Sequence, residues 1–191
     1  MFRKTHILAV LLAGLVVLGG CVSPNGDSVE EQRQAVQRMK SAALAKLYQV
    51  EPHAQEQIKQ AAGYAVFSNL GVNLIFLSAG TGYGVVENNL GGATTYMKMV
   101  SGGLGIGLGV KDFRGVFVFT SQDALTTFVE HGWDASAQVD IAAKAAEKGD
   151  AWAGAVDVAP GIKLYQFTEN GLALQATIQG TKYWKAADLN S

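Results

Sequence analysis

Apolar positions in the first part of the chain recur at the spacing of amphipathic helices. Four of them share one helical stripe: Val36, Met39, Ala43 and Leu47. They predict a first helix over residues 28–48, with Ser28 as its N-cap because a serine hydroxyl can accept a hydrogen bond from the first turn. A second, short helix is expected to begin at Pro52 and to end before Gly63. Residues 29–62 are therefore predicted to form two helices.

Glycine and apolar residues alternate along residues 101–111, with a period of two. As one β-strand, this stretch would carry four apolar side chains on one face and only glycines on the other: Gly103, Gly105, Gly107 and Gly109. A strand glycine costs about 0.5–1 kcal/mol relative to alanine, so such a run is expected where a backbone or a large ring lies against the bare face. Residues 80–84 repeat the pattern with Gly80, Gly82 and Gly84. These seven glycines are predicted to be structural.

A phosphate-binding loop is the alternative interpretation of the glycines. A dinucleotide fingerprint requires Gly-x-Gly-x-x-Gly, but Leu108 or Val110 occupies the third glycine position. No Gly-Lys-Ser/Thr sequence follows either. The spacing therefore favours packing over nucleotide binding.

The rest of the chain to residue 185 alternates short β runs with turn residues. Strands are expected at 64–68, 73–79, 94–100, 116–119, 134–144 and 152–158, with a turn at 113–115. A helix over 122–130 is predicted to start at a Thr120 cap and to end at Gly132. A hairpin is expected to join 162–168 to 172–182 through Asn170-Gly171.

This pattern predicts an α+β fold. We expect a strongly curved antiparallel sheet or a partly closed barrel, packed by the N-terminal helices and by one helix between strands. Residues 29–191 are predicted to form a single domain, with helices at 29–62 and a β-rich body at 63–185. In this arrangement, leucine at Gly105 or Gly107 would overpack the structure and abolish folding.

Residues 1–20 have the features of a bacterial lipoprotein signal. Arg3 and Lys4 precede a short apolar run, and small residues lead directly to Cys21. In such signals the cysteine is acylated and becomes the new N-terminus, which makes Cys21 the expected lipid anchor and residues 21–28 a linker. By resemblance to sorted lipoproteins, Val22 in place of aspartate indicates the periplasmic face of the outer membrane. An ordinary secretory signal with an incidental cysteine is the alternative.

The composition argues against several kinds of bond, metal site and partner. Cys21 is the single cysteine, so an internal disulfide and a cysteine-based zinc site are excluded. Removing residues 1–20 takes the formal charge from −1 to −3, because Arg3 and Lys4 are lost. A nucleic-acid partner is not expected from a chain without excess positive charge.

The histidines and serines do not lie in known catalytic motifs. Only His53 and His131 remain after residue 20, and neither lies in His-Glu-x-x-His. No serine lies in Gly-x-Ser-x-Gly. The carboxylates of Asp134, Asp140, Asp150 and Asp157 could pair in space, which sequence spacing does not establish. An enzyme, a cofactor and a metal site are therefore not expected.

Several motifs occur in the order seen in the SYLF domain family. They are Gly63-Tyr-Ala-Val-Phe, Gly80-Thr-Gly-Tyr-Gly, Gly102-Gly-Leu-Gly-Ile-Gly-Leu-Gly, the 116–119 run with its helix, and Gly171-Leu-Ala-Leu. Over residues 49–185 the chain resembles this family, and in Gly132-Trp133 and Gly180-Thr-Lys-Tyr-Trp184 it resembles the bacterial lipoprotein branch. The resemblance implies a lipid-binding module. The strongly basic N-terminal helix of eukaryotic members is missing here, so phosphoinositide specificity is not expected.

Two classes of function stay open: a non-catalytic phospholipid-binding domain, or a structural or protein-interaction module of the envelope. Candidate contacts for a lipid phosphate are the basic residues Arg33, Arg38, Lys40, Lys98, Lys111 and Arg114. Trp133, Trp152 and Trp184 are candidates for the membrane interface, where indole rings are favoured, although core packing is the alternative for each. An apolar groove or cavity would favour lipid binding over protein interaction.

Overall fold

The structure, a computed structural model, describes residues 24–74, 77–104, 109–134, 154–168, 171–172 and 180–191. The described helices are α1 (Val29–Val50), α2 (His53–Gln60) and α3 (Gln122–His131), followed near the end of the chain by a 3₁₀ helix (Ala187–Leu189). The described strands are β1 (Gly63–Leu74), β2 (Leu77–Asn88), β3 (Thr95–Leu104), β4 (Gly109–Phe119), β5 (Trp133–Asp134), β6 (Ala155–Ala159), β7 (Ile162–Thr168), β8 (Gly171–Leu172) and β9 (Gly180–Lys185).

All described strand pairs are antiparallel and belong to one sheet. The order is β5-β9-β3-β2-β1-β4-β7-β6, and β8 pairs with β7. The fold is thus α+β with a strongly curved sheet, which confirms the predicted fold class.

The first helix begins where the sequence predicts. The Ser28 hydroxyl accepts a hydrogen bond from the Glu31 amide at 3.2 Å, and the Glu31 carboxylate accepts from the Ser28 amide at 3.1 Å. This capping box satisfies two amides that a helix N-terminus leaves free. Val36, Ala43 and Leu47 are buried, so the predicted stripe is confirmed.

The two N-terminal helices cover part of the convex face of the sheet. Ala43 and Leu47 of α1 and Ile58 of α2 pack with Val66 of β1 and Val116 of β4. Tyr165 and Phe167 of β7 complete this layer. Burial of these apolar side chains, at about 25 cal/mol per Å² removed from water, fixes the helices on the sheet.

The concave face is filled by aromatic rings beneath α3. The core there includes Phe67, Phe117, Phe119 and Phe128, with Tyr183 packed against them. The centroids of Phe117 on β4 and Tyr183 on β9 are 5.2 Å apart. Four strand-to-strand steps of about 4.8 Å separate β4 from β9 along the sheet, so this contact requires a tightly curled sheet.

The predicted single strand over 101–111 is wrong. Residues 101–104 end β3 and residues 109–111 begin β4, and the two strands run in opposite directions because β2 and β1 lie between them. Alternation alone gave no sign of this reversal, since both arms keep the same period. Gly105 and Gly107 lie outside the described residues, so the predicted effect of leucine there stays a prediction.

Other predicted boundaries also change. Residues 113–115 lie inside β4 and not in a turn, and residues 73–79 divide between β1 and β2. The hairpin is confirmed only at its start, where Phe167 pairs with Leu172, because β9 pairs with β3 instead of continuing that arm. The cap of α3 is Ser121, one residue after the predicted Thr120. Most of the strand predicted at 134–144 lies outside the described residues.

Candidate functional site

Three of the predicted lipid contacts make polar contacts within the protein. The Lys40 ammonium lies 2.5 Å from a Glu87 carboxylate oxygen, and the Lys98 ammonium lies 2.9 Å from Asp188. The hydrogen bond from Lys98 holds the pKa of Asp188 below its usual range. Arg33 donates to main-chain oxygens of Leu189 and Ser191. Lys40 and Lys98 are therefore paired charges and not free phosphate contacts.

The remaining candidates do not assemble into one patch. Arg38 is exposed on α1, the Lys111 side chain lies outside the described part, and Arg114 is half-buried on β4. Lys98 and Arg114 share one row across the sheet, through Tyr83 and Ser68. Three strand steps separate them, or about 14 Å. Lys98 and Arg114 are thus too far apart to bind one phosphate group together.

The bare face of β2 lies against a ring, as its glycines predict. A Cβ at Gly84 would collide with the ring of Phe67, its register partner, and with the carbonyl oxygen of Val66. Gly80 and Gly82 are buried on the same face. Among the described residues, aromatic rings and α3 pack in this part of the concave face.

The titratable groups in the described residues do not form a recognisable catalytic set. His53 Nδ1 lies 3.2 Å from Glu51, and its side chain is largely exposed. His131 lies in the last turn of α3. Within the described part there is no group of three His, Cys, Asp or Glu residues placed to hold a metal ion, and no helix there is long and apolar enough to cross a membrane.

An exposed apolar pair lies where α1 and α2 do not cover the convex face. Val100 on β3 and Trp184 on β9 are 40% and 42% exposed, and both point outward beside Lys98 and Lys182. The register makes Val100 and Trp184 diagonal neighbours, about 7–8 Å apart. We call these four residues the β3-β9 patch.

The three tryptophans have different environments. Trp133 packs in the concave core, with its ring centroid 5.6 Å from that of Phe117. Its indole Nε1 is buried without a hydrogen-bond partner among the described residues. Trp152 lies outside the described part. Of the two tryptophans that can be placed, Trp184 has the exposure of an interfacial residue.

A groove opens at the rim where β2 leads into β3 and β9 ends. Its larger part has a volume of about 480 Å³ and is lined by Arg33, Tyr96 and Lys185 among others. A smaller cleft of about 170 Å³ continues beneath α3. The two parts share Ala93, Thr95 and Lys185, so we treat them as one feature, the rim groove.

Arg33 is held in place at this groove by main-chain oxygens. Its Nε donates to the Leu189 carbonyl at 2.9 Å, and its Nη2 donates to a main-chain oxygen of Ser191 at 2.7 Å. The guanidinium carbon lies 5.9 Å from the centre of the Tyr96 ring. The nearest side-chain carboxylate, that of Glu30, is exposed and 4.0 Å away. The guanidinium is therefore fixed mainly by main-chain oxygens of the last residues of the chain.

A curated protein is similar in sequence to this chain. The chain is similar to Beta cell expansion factor A of Aeromonas veronii. The two are 36% identical over 167 residues, which cover 86% of this chain. No model of a known protein family matches the chain.

The similarity covers most of this chain but only 61% of the length of Beta cell expansion factor A. Since the match covers 86% of this chain, it includes most of the fold. A relationship to that protein is therefore established at the level of sequence, while its activity and partners bear on this chain only as proposals.

Proposed function

We propose that this chain is a lipid-anchored protein of the bacterial cell envelope with a non-catalytic, SYLF-like domain that binds phospholipid surfaces. The main support is the β3-β9 patch. An indole and a branched aliphatic side chain lie exposed together, and lysines flank them. Aromatic rings beside lysines are the residues that membrane interfaces favour.

The charges around the patch indicate that binding is weak. Lys98 pairs with Asp188 at 2.9 Å, and Lys182 pairs with Asp134 at 3.3 Å. The Lys182 side chain is 66% exposed, so water and salt screen that pair. The apolar side chains are expected to supply most of the affinity, while the lysines add a preference for anionic lipid that salt reduces.

Liposome co-flotation of a form lacking residues 1–21 tests the domain without its anchor. We expect weak binding to phosphatidylglycerol or cardiolipin liposomes at low salt. The double variant Val100→Ser/Trp184→Ser should lose most of it. Leu90→Ser is the matched control, because Leu90 is 74% exposed on the β2-β3 turn and lies outside the patch.

The absence of co-flotation at low salt would reject lipid binding and favour the alternative, a protein-interaction module of the envelope. Equal losses in the patch variant and in Leu90→Ser would reject the patch as the contact surface.

Anchoring is tested separately through Cys21. Acyl chains gain about 0.8 kcal/mol per buried methylene, so a multiply acylated cysteine would be held almost irreversibly. Cys21→Ser should therefore release the full chain from the outer-membrane fraction. Sedimentation of this variant with outer membranes at the wild-type level would contradict acylation as the main anchor.

A further inference from the structure

The chain just before α1 is fixed to the first turn of that helix. The Gly26 carbonyl accepts a hydrogen bond from Gln32 Nε2 at 3.1 Å, and the Asp27 amide donates to the Glu31 carboxylate at 2.8 Å. A Cβ at Gly26 would lie only 2.7 Å from the Glu31 Cβ, so the backbone at Gly26 packs directly on the helix. Residues 26–28 are therefore held on the domain.

The remaining connection to Cys21 is short. Five residue steps separate Cys21 from Gly26, and a fully extended chain spans at most about 3.6 Å per residue. Cys21 can thus lie no more than about 18 Å from Gly26, whatever the conformation between them. With the acyl chains on Cys21, as proposed above, the first turn of α1 is kept within this distance of the membrane surface.

The first turns of α1 lie on the β3 and β9 side of the sheet. The Arg33 guanidinium carbon is 5.9 Å from the centre of the Tyr96 ring of β3, and Gln37 Nε2 donates to the Tyr96 hydroxyl at 3.3 Å. Ala43 and Leu47, later in the helix, instead pack with side chains of β1, β4 and β7. The order of these strands in the sheet is β9-β3-β2-β1-β4-β7. The N-terminal end of α1 is therefore the end nearest to β9.

The β3-β9 patch lies beside this end of the helix. Lys98 of the patch is on the same face of β3 as Tyr96, about 7 Å farther along the strand. The Lys98 ammonium also bonds to Asp188 at 2.9 Å. The next residue, Leu189, accepts a hydrogen bond from Arg33 at 2.9 Å. Two sets of contacts thus connect the first turns of α1 to the patch, one along β3 and one through the 3₁₀ helix.

The charges at this end of the domain favour contact through the patch. Asp27, Glu30 and Glu31 are exposed at the first turn of α1, and an anionic leaflet repels carboxylates. The patch instead exposes an indole and a valine, with lysines beside them. The domain is therefore expected to touch the leaflet with the patch and not with the first turn of α1.

We propose that, in the acylated protein, the β3-β9 patch binds the same leaflet that holds Cys21, so that the domain is attached to its own membrane at two points. This rests on the proposed function and adds which membrane the patch meets. A short tether makes the second contact intramolecular, with an effective concentration in the millimolar range. A weak patch is then sufficient to hold the domain in one orientation. Binding to a facing membrane is the alternative, which the short tether and the position of the patch oppose.

Tryptophan quenching in the lipid-anchored state tests this contact. The full acylated chain is placed in liposomes of phosphatidylglycerol and phosphatidylcholine, and the phosphatidylcholine is either brominated or plain. Bromine atoms on the acyl chains quench indole rings that enter the lipid. We expect the brominated lipid to lower the fluorescence of the wild type, and Trp184→Phe to remove most of this loss. Equal fractional quenching in the wild type and in Trp184→Phe would overturn the proposal.

The matched control adds Gln49→Trp to the Trp184→Phe chain. Gln49 is exposed near the end of α1, about 30 Å along the helix axis from Val29. This variant restores the number of tryptophans, but it should not restore the quenching. Quenching at the wild-type level in this variant would overturn the proposed orientation.

Liposome clustering distinguishes the two membranes. Protein-free liposomes of the same lipids are added to liposomes that carry the full chain, and light scattering is followed. A patch that binds its own leaflet should leave the scattering unchanged. Clustering that Val100→Ser/Trp184→Ser abolishes would show binding to a facing membrane and would overturn the proposal.

Failure of this proposal can be told apart from failure of the proposed function. Patch-dependent co-flotation of the form lacking residues 1–21, without quenching of Trp184 in the anchored chain, would overturn the same-leaflet contact alone. Loss of both signals would overturn the proposed function as well.

Discussion

The rings of Phe67 and Tyr183 meet edge to face, with centroids 4.6 Å apart and ring planes at 69°. Phe67 lies on β1 and Tyr183 on β9, and β2 and β3 separate these strands in the sheet. In a flat sheet the two strands would be about 14 Å apart. The ring contact therefore requires a curled sheet and packs β9 against β1 across the concave face.

The two rings should respond differently to substitution. Phe67→Ala removes a fully buried ring that contacts Phe117, Phe128 and Tyr183, and it should cost about 3–5 kcal/mol of the free energy of unfolding. Tyr183→Phe keeps the ring and removes a hydroxyl that has no hydrogen bond among the described residues. Burial raises the pKa of that hydroxyl. Urea unfolding should show Tyr183→Phe to be neutral or stabilising, and a loss as large as that of Phe67→Ala would contradict this account.

Gly84 and Gly115 provide a matched test of the bare strand faces. Both pair with Phe67, one from β2 and the other from β4. A Cβ at Gly84 would collide with the Phe67 ring and the Val66 carbonyl, whereas a Cβ at Gly115 would meet Leu164 at an ordinary 3.4 Å. Gly84→Ala should therefore lower the free energy of unfolding by about 1–3 kcal/mol through overpacking, and the melting temperature should fall with it. Gly115→Ala should change stability by less than about 1 kcal/mol; equal effects would show that Gly84 is not the tighter site.

Local signals in the sequence predicted the helices well. The Ser28 and Glu31 capping box starts α1, and Gly132, at a φ of 71°, follows the last residue of α3. Both features depend on residues a few positions apart, which is the range that a sequence pattern reports. The glycine face of β2 was predicted from the period of two within one strand, and at Gly84 it lies against the Phe67 ring.

Strand order and site composition depend on distant residues and could not be predicted in this way. Glycine and apolar residues alternate over 101–111 in the same way whether the chain continues or reverses. The sequence therefore predicts one strand where the structure has the end of β3 and the start of β4. Lys182 and Lys185 look alike in sequence, but they lie on opposite faces of β9, and only Lys185 reaches the rim groove. Arg33 was a candidate for lipid contact from its charge alone. Its hydrogen bonds to main-chain oxygens of Leu189 and Ser191 could not be predicted, because those residues lie more than 150 positions away in the sequence.

Asn89 should be the main polar link between the β2-β3 turn and α2. Its side-chain amide donates to the carbonyls of Ile58 at 2.6 Å and Ala61 at 3.0 Å. Asn89→Ala leaves two half-buried carbonyls unsatisfied and should cost about 1–3 kcal/mol in chemical denaturation. The neighbouring Leu90→Ala removes an exposed side chain and should stay within about 0.5 kcal/mol. Similar values for the two variants would show that the amide contributes little to stability.

Buried tyrosines should make the fold sensitive to alkaline pH. Burial, followed by the charge of Glu87, raises the pKa of Tyr64 to about 12, and burial with the charge of Glu51 raises that of Tyr165 to about 12. Both hydroxyls would ionise near pH 10 in the unfolded chain. From about pH 10 to about pH 12 the unfolded state therefore binds fewer protons than the folded state, and stability falls as pH rises.

Tyr165→Phe removes one of these titrating groups and tests the linkage. The variant also loses the hydrogen bond from the Tyr165 hydroxyl to Gln57, but that loss applies equally at both pH values. The measurement is the difference in the free energy of unfolding between about pH 9 and about pH 11, which should be smaller in Tyr165→Phe than in the wild type. The same difference in both proteins would show that the Tyr165 hydroxyl ionises as readily in the folded chain as in the unfolded one.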